Sequence, residues 1–497
     1  MLFEPLFAHA KSRPDEIAII DDSGQYTHQQ LANMAAGMGL FLKRQTNRDK
    51  VGLLLPSSAA FAAGFYGTLL AGKTVVPINF LLGDKEINHI INDSGIDTVL
   101  TIPQLAGKVK DKPLKVIDLK ALPKPNALKR LLVRFAPKPN PKPDDLAVLM
   151  YTSGTSALPK GVMLTYNNLQ SDVEAAIQHA KLTGTHSFLG ILPLFHSTGL
   201  LATLIAPTVL GSKTVYIARF SPVATLNAIR QHKISIVAAV PSMYGAIIRL
   251  KDAKPEDFSQ MYAAISGGEP LAANIREAFT SKFNIPIYEG YGLTETIGPI
   301  AFNVPGHIKP GSVGRLIPNA NCQILDDNNQ PLGPNQDGEI TLKGPMVMRG
   351  YFNLPKETEA AFTPDGHFRS GDLGHIDDDG YLFVTGRKKD LIIVAGEKAV
   401  PREIEDILNQ HESVAEAAVV GKKDPSRGEV VVAYVIAKEG QTVKADELRE
   451  FGRSHGLPQW KIPKEITVVE DLPRTPTGKV LKRVLVERAN APAAKSE

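Results

Sequence analysis

Through roughly the first 300 residues, short apolar runs alternate with stretches of helical period. The runs "VGLLL" from Val51, "LAVLMYT" from Leu146, "TVYI" from Thr214 and "ISIVAAV" from Ile234 have strand length and β-branched or leucine-rich composition. Between them, "DKEINHIINDSG" sets Ile87, Ile90 and Ile91 at helical spacing. That spacing predicts a helix with Asp84 as its N-cap and Gly95 as its stop. Strands alternating with helices predict parallel sheets covered by helices.

From Gly311 to Tyr351 the pattern changes to short strands around Asn, Asp, Gly and Pro turns, as in "QILDDNNQPLG", which predicts a small β-rich subdomain. After Arg387 it changes again. A helix ("REIEDILNQH"), strands ("EVVVAYVIA"), a second helix ("ADELREFGRSHG") and a last strand ("EITVVE") predict a separate α+β unit of about a hundred residues, an ordinary domain size. The boundary is expected between 387 and 388, giving domains 1–387 and 388–497.

Length agrees, since 497 residues are too many for one hydrophobic core. The formal charge of +4, from 56 basic and 52 acidic residues, is not that of a nucleic-acid binder. Cys322 is the only cysteine, which excludes an internal disulfide, a multi-thiolate metal site and a C-x-x-C redox pair. The N-terminal "MLFEPLFAHAKSRPDE" lacks the basic-then-apolar order of a secretion signal, so a cytoplasmic location is expected.

Two uncharged stretches, 51–72 and 191–212, approach the length of a membrane span, about 20 residues. Pro56, Pro193, His196 and Pro207 interrupt them, and such breakers leave backbone groups unsatisfied in lipid. From Lys108 to Lys142, eleven Lys or Arg face only Asp111 and Asp118, and the run ends in "APKPNPKP". The tail reads as a proline-stiffened linker. The inner "ALKRLLVRF" fits either a solvated loop, the commoner case, or a basic amphipathic helix in peripheral contact with anionic lipid on the inner membrane face.

Candidate chemistry begins at "YTSGTSALPKG", Tyr151 to Gly161. Its hydroxyls and backbone amides can wrap phosphate oxygens while Lys160 neutralises one. The order is not that of a G-x-x-x-x-G-K-[ST] loop, because Lys160 precedes Gly161. Alone, such a cluster is more often an ordinary turn.

Read with "LPLFHSTG" from 192, "SGGEPL" from 266, "YEGYGLTET" from 288, "GEITLKGPMVMRGYF" from 338, "FRSGDLG" from 368, "GRKKDLIIVAGEKAVPREIE" from 386 and "LPRTPTGK" from 472, the chain resembles the adenylate-forming superfamily over nearly its whole length. Within that superfamily it is most similar to bacterial fatty-acyl-CoA synthetases. The resemblance implies an α/β fold: a large N-terminal lobe with two helix-covered, mostly parallel sheets and the β-rich subdomain, then a small, mobile α+β C-terminal domain. It implies condensation of a carboxylic acid with ATP, release of pyrophosphate, and transfer of the acyl group from AMP to a thiol.

The residue roles below are those the resemblance implies. Thr152, Ser153, Gly154, Thr155, Ser156 and Lys160 hold the β- and γ-phosphates. The sequence departs from the family pattern at Ala157, where glycine is usual; if that position needs positive φ, alanine costs about 1 kcal/mol. Gly267, Gly268, Glu269 and Pro270 flank adenine together with Glu289, Gly290, Tyr291 and Gly292, with Tyr291 stacked on the ring. Thr294 lies near the α-phosphate, and Glu295, with Thr152, holds Mg2+. Asp372 accepts from the ribose hydroxyls beside Arg387. Lys479 reaches from the small domain to the α-phosphate and is the principal catalytic group. Lys389 is the hinge, and Gly396, Glu397 and Lys398 form the loop beside the thiol channel.

Amino-acid-activating relatives carry an aspartate where this chain has His196, so an ammonium would lack its partner. His196 then serves as a gate or carboxylate neighbour, and the apolar "LLATLIAP" after it lines a tunnel for an acyl chain or is simply core helix. A medium- to long-chain fatty acid is the expected substrate and CoA the expected acceptor. An acyl carrier protein as acceptor, or an aryl acid as substrate, is the alternative. A regulator without chemistry would have lost Lys479, Glu295 or Asp372, and all three are present. Oligomeric state is open.

Overall fold

The computed structural model describes residues 1–119, 138–152, 158–474 and 480–491. Its largest sheet has nine strands in the spatial order 315–316, 299–302, 287–292, 263–266, 236–239, 187–190, 213–216, 17–21, 24–27. The inner strands pair in parallel and the outer ones antiparallel. A seven-stranded sheet runs 350–351, 160–165, 146–152, 74–77, 50–54, 98–101, 115–118. It is parallel from 146–152 outward and antiparallel in the hairpin of 146–152 with 160–165. These are the two mostly parallel sheets expected.

One apolar cluster ties the layers together, drawing Leu31, Ala35 and Leu42 from helix His28–Gln45, Phe61, Phe65 and Leu69 from helix Ala59–Leu70, and Leu169 and Val173 from helix Tyr166–His179. Helix Ala59–Leu70 is apolar on every side because it is buried on nearly every side. Its approach to the neighbouring helix depends on glycine. A Cβ on Gly67 would lie 2.5 Å from the Met38 Cβ, and one on Gly39 would lie 2.9 Å from the Leu70 Cβ.

The uncharged stretches are thus core elements, and among the described residues no helix is long and apolar enough to cross a membrane. The second stretch folds as Ser197–Leu200, a π-helical turn Leu201–Ile205, and Ala206–Leu210.

Helix Asp84–Ser94 forms as predicted, with all three isoleucines buried and Gly95 left-handed at φ +68°. The cap differs from expectation. Gly83 occupies the N-cap in extended conformation, and Asp84 falls in the first turn with Glu86, where a carboxylate meets the positive end of the helix.

The β-rich subdomain is an antiparallel sheet of 321–325, 338–343, 368–376 and 382–387, so it extends well past the predicted limit at Tyr351. The short strand Gly350–Tyr351 leaves it to pair with Val162 and Met163 of the seven-stranded sheet. Through one turn, Lys388–Asp390, the chain then enters a five-stranded sheet of 397–399, 392–394, 428–437, 414–424 and 465–468. Helices Pro401–Leu408 and Ala445–Ser454 cover it around a separate core that includes Ile392, Ile404, Leu408, Val419, Val435 and Leu448.

Candidate active site

Loops at the carboxyl ends of parallel strands are where open α/β sheets bind ligands. Strands Ala263–Ser266 and Ile287–Gly292 are such neighbours, with Ser266 opposite Glu289. The turn Gly267, Gly268, Glu269, Pro270 continues the first strand, and Gly268 takes φ +83°. A Cβ on Gly267 would sit 3.3 Å from the Gly290 carbonyl oxygen, so the two segments predicted to flank adenine run side by side. Gly292 has no room for a side chain either, since a Cβ there would lie 2.0 Å from the Gly298 carbonyl oxygen. The Glu289 carboxylate is buried, accepts from the Leu271 amide at 3.2 Å and faces the Arg402 guanidinium at 3.8 Å. Burial raises its pKa against the pull of Arg402.

Tyr291, Asp372 and Arg387 meet. The Tyr291 hydroxyl donates to one Asp372 oxygen at 2.7 Å and the Arg387 Nε donates to the other at 3.0 Å. Asp372 and Arg387 face each other across strands Phe368–Ile376 and Leu382–Arg387, which explains their contact. An ionised carboxylate has acceptor capacity beyond two bonds. Burial, then the Asp372 charge, keeps the Tyr291 hydroxyl protonated by raising its pKa well above the usual value.

Thr294 and Glu295 lie on a single turn, Thr294–Thr296, packed against strand Lys160–Thr165. Glu295 accepts from the Tyr351 hydroxyl at 2.9 Å, and its pKa is raised mainly by burial. The Lys160 ammonium stands 5.1 Å from the centre of the same Tyr351 ring. Thr152 ends strand Leu146–Thr152 directly opposite Lys160. Ser153, Gly154, Thr155, Ser156, Ala157 and Lys479 lie outside the described residues.

The turn after Glu295 carries strain. Ile297, buried and β-branched, takes φ +59°, a conformation such residues rarely adopt. A Cβ on the next residue, Gly298, would lie 2.4 Å from Leu201 and 3.0 and 3.1 Å from the Asp172 carboxylate. Asp172 is fully buried, and among the described residues neither oxygen has a hydrogen-bond partner of normal geometry, the Gly298 amide being the donor that faces it. Burial pushes its carboxyl well above the usual range. Nearby in sequence to Leu201, His196 precedes helix Ser197–Leu200 and packs on Phe195 with ring centres 4.7 Å apart. Its Nε2 is buried and meets no hydrogen-bond partner among the described residues, and burial lowers its pKa to about 4.

On the small domain, Lys389 sits in the connecting turn, its pKa lowered by burial and then by Arg387. The Gly396 loop is the exposed tip of a hairpin, Ile392–Val394 with Glu397–Ala399. Ala395 and Gly396 both take positive φ, and Lys398 pairs with Asp327 of the β-rich subdomain. Lys388 pairs with the buried Glu339 at 3.0 Å, and Arg402 donates to the Val384 carbonyl at 2.6 Å. Tyr351, Asp172 and Arg402 were not found from sequence. Tyr351 and Glu295, for example, are 56 residues apart in the chain, and periodicity carries no signal for such a pair.

The chain matches the AMP-binding enzyme family over residues 6–352 and the AMP-binding enzyme C-terminal domain over 403–479. It is 33% identical to a long-chain-fatty-acid–CoA ligase of Bacillus subtilis, over 95% of this chain and 92% of the relative. It is 36% identical to a sulfoacetate–CoA ligase of Cupriavidus necator, over 92% and 89% respectively. The solved structure of o-succinylbenzoate CoA synthetase from Bacillus subtilis, in complex with its acyl-adenylate intermediate, aligns with a TM-score of 0.83 at 30% identity over 99% of both chains.

Proposed function

We propose, for a chain that belongs to the AMP-binding enzyme family, ATP-dependent ligation of a carboxylic acid to the thiol of CoA through an acyl-adenylate. A carboxylate oxygen attacks the α-phosphorus of ATP, and the bond to pyrophosphate breaks. The thiol sulfur then attacks the acyl carbon, AMP departs with the electron pair of the C–O bond, and the thiol proton goes to solvent.

The observation that supports this most is the meeting of Tyr291, Asp372 and Arg387, residues 81 and 15 positions apart in the chain, at one carboxylate beside the glycine turn. In this reading Asp372 and Arg387 hold ribose, Gly267 to Pro270 and Glu289 to Gly292 flank adenine, and Thr152 to Ser156 with Lys160 grip the outer phosphates. Thr294 faces the α-phosphate, and Lys479 supplies the cation there.

Glu295 suits a divalent cation, because a buried carboxylate that burial disfavours as an anion is stabilised by a hard positive charge. Mg2+ held by Glu295 and Thr152 would neutralise phosphate charge. We place the domain boundary at 387/388, the hinge at Lys389, and the thiol-channel loop at Gly396, Glu397 and Lys398. Rotation of the small domain would bring first Lys479 and then that loop to the substrate.

A medium- to long-chain fatty acid is the proposed substrate. The buried, uncharged segment after His196 and the likeness to a long-chain-fatty-acid–CoA ligase support it. The sulfoacetate–CoA ligase favours a second reading, a short acid with an anionic head. Against it, 191–212 carries no cation to meet a sulfonate. Release of AMP over a panel of C2 to C18, branched, aryl and sulfonated acids, with and without CoA, decides. Turnover confined to the sulfonated or aryl acids ends the fatty-acid reading. Acid-dependent adenylation that CoA cannot discharge points to a carrier protein.

A further inference from the structure

Helix Asp84–Ser94 does more than cover the seven-stranded sheet. Its isoleucines fix it in the core, and residues 89 and 93, four apart, share the opposite, half-buried face. From that face His89 Nε2 donates to the Pro159 carbonyl at 2.9 Å, and Asp93 accepts from the Tyr151 hydroxyl at 2.6 Å. Asn353 steadies Asp93 by donating to its Oδ1 at 3.1 Å and to its carbonyl at 3.3 Å. Tyr151 precedes Thr152 and Pro159 precedes Lys160, so beside the strand pair that closes the phosphate loop the first lies in the incoming strand and the second is the loop's last residue.

We propose that His89 and Asp93 are positioning residues that clamp the two flanks of the phosphate loop and so fix its span for the triphosphate of ATP. The strand pair alone sets the separation of the loop's ends. It does not set the direction in which they leave the sheet. The Tyr151 hydroxyl and the Pro159 carbonyl are held from one rigid helix, so both ends are oriented relative to the same body before ATP arrives. Preorganisation of this kind lowers the cost of ordering a loop around its ligand. The inference rests on the reading that residues 152–160 hold the phosphates of ATP.

The test uses the full chain carrying His89→Ala, Asp93→Ala, and the conservative His89→Gln and Asp93→Asn, which keep a donor and an acceptor respectively. Each alanine variant should raise the KM for ATP in acid-dependent pyrophosphate exchange about fivefold, the worth of one net hydrogen bond. Consumption of preformed acyl-adenylate by CoA should be unchanged, and the conservative variants should restore most of the KM. Unchanged KM in both alanine variants, or equal loss in both steps, overturns the clamp.

Should an alanine variant fail to fold, Tyr151→Phe removes one hydroxyl and gives the same readout. Lys160→Ala separates the two levels. A normal KM for ATP in that variant removes the phosphate-loop reading, whereas a raised KM with silent His89 and Asp93 variants removes only the clamp.

Discussion

A carboxylic acid sealed from water, with only an amide facing it, must either keep its proton or distort its surroundings. Asp172 is in that position beneath the turn that carries Thr294 and Glu295. Its folded pKa lies above its unfolded one, so the folded chain holds the proton more tightly. The resulting stability is fully present below the unfolded pKa, about 3.9, and is lost as pH rises through the folded value. Asp172→Asn keeps the shape and removes the titration. The thermal midpoint of the variant relative to the parent should therefore rise between pH 5 and pH 9. A constant difference across that range means the acid does not titrate in the fold.

The catalytic role proposed for Lys479 belongs to the same scale. A cation about 4 Å from the reacting phosphate, at an effective dielectric near 20, contributes about 4 kcal/mol, roughly a thousandfold in rate. Lys479→Ala should lose pyrophosphate exchange by about that factor and keep much of the thioester-forming step. Normal exchange in the variant removes the role.

Among elements, the crossing of helices His28–Gln45 and Ala59–Leu70 is set by two absent side chains. Gly67→Ala would drive a methyl into Met38, and overpacking of a dense core costs about 1–3 kcal/mol. Denaturant unfolding should show that loss, and an unchanged midpoint would mean the helices can part.

Nothing in the periodicity of either helix announces this contact, although helix Ala59–Leu70 lies in the uncharged stretch 51–72. Helix Asp84–Ser94 was legible to its last residue because three isoleucines mark its phase and Gly95 its end. Its cap was not, because an aspartate is favoured both at the cap and in the first turn. The β-rich subdomain was legible as β-rich but not in extent. Its last two strands return after Gly350–Tyr351 has crossed to another sheet, and turn chemistry records only local reversals. The glycines and Asp372 were recognisable by motif. The bonds of Tyr351 to Glu295, and of His89 and Asp93 to the loop flanks, depend on chain-distant pairing and were not.

For the whole molecule, the junction of the lobes is the decisive feature. A single short turn joins two sheets, and Arg402 of helix Pro401–Leu408 reaches across it to Val384 and the buried Glu289. Arg402→Ala removes the ion pair to that acid and the helix's hydrogen bond to Val384 across the turn. Cleavage between 388 and 391 by a sparing protease should then quicken several-fold while the core of each lobe stays resistant. Equal cleavage rates would mean that other contacts hold the junction.

The links from the 388–402 segment to the rest of the chain include three ion pairs: Lys388 with Glu339, Lys398 with Asp327, and Arg402 with Glu289. Screening acts over about 8 Å at physiological ionic strength and reaches exposed pairs far more than buried ones, so mobile ions weaken Lys398 with Asp327 first, while the buried Glu339 and Glu289 hold their cations. Apolar surfaces pressed together would instead hold more firmly as salting-out agents rise. In the proposed rotation about Lys389, dissolved electrolyte therefore acts on the exposed Lys398–Asp327 link, and the ease of passing from one half of that cycle to the other becomes a property of the medium as well as of the protein.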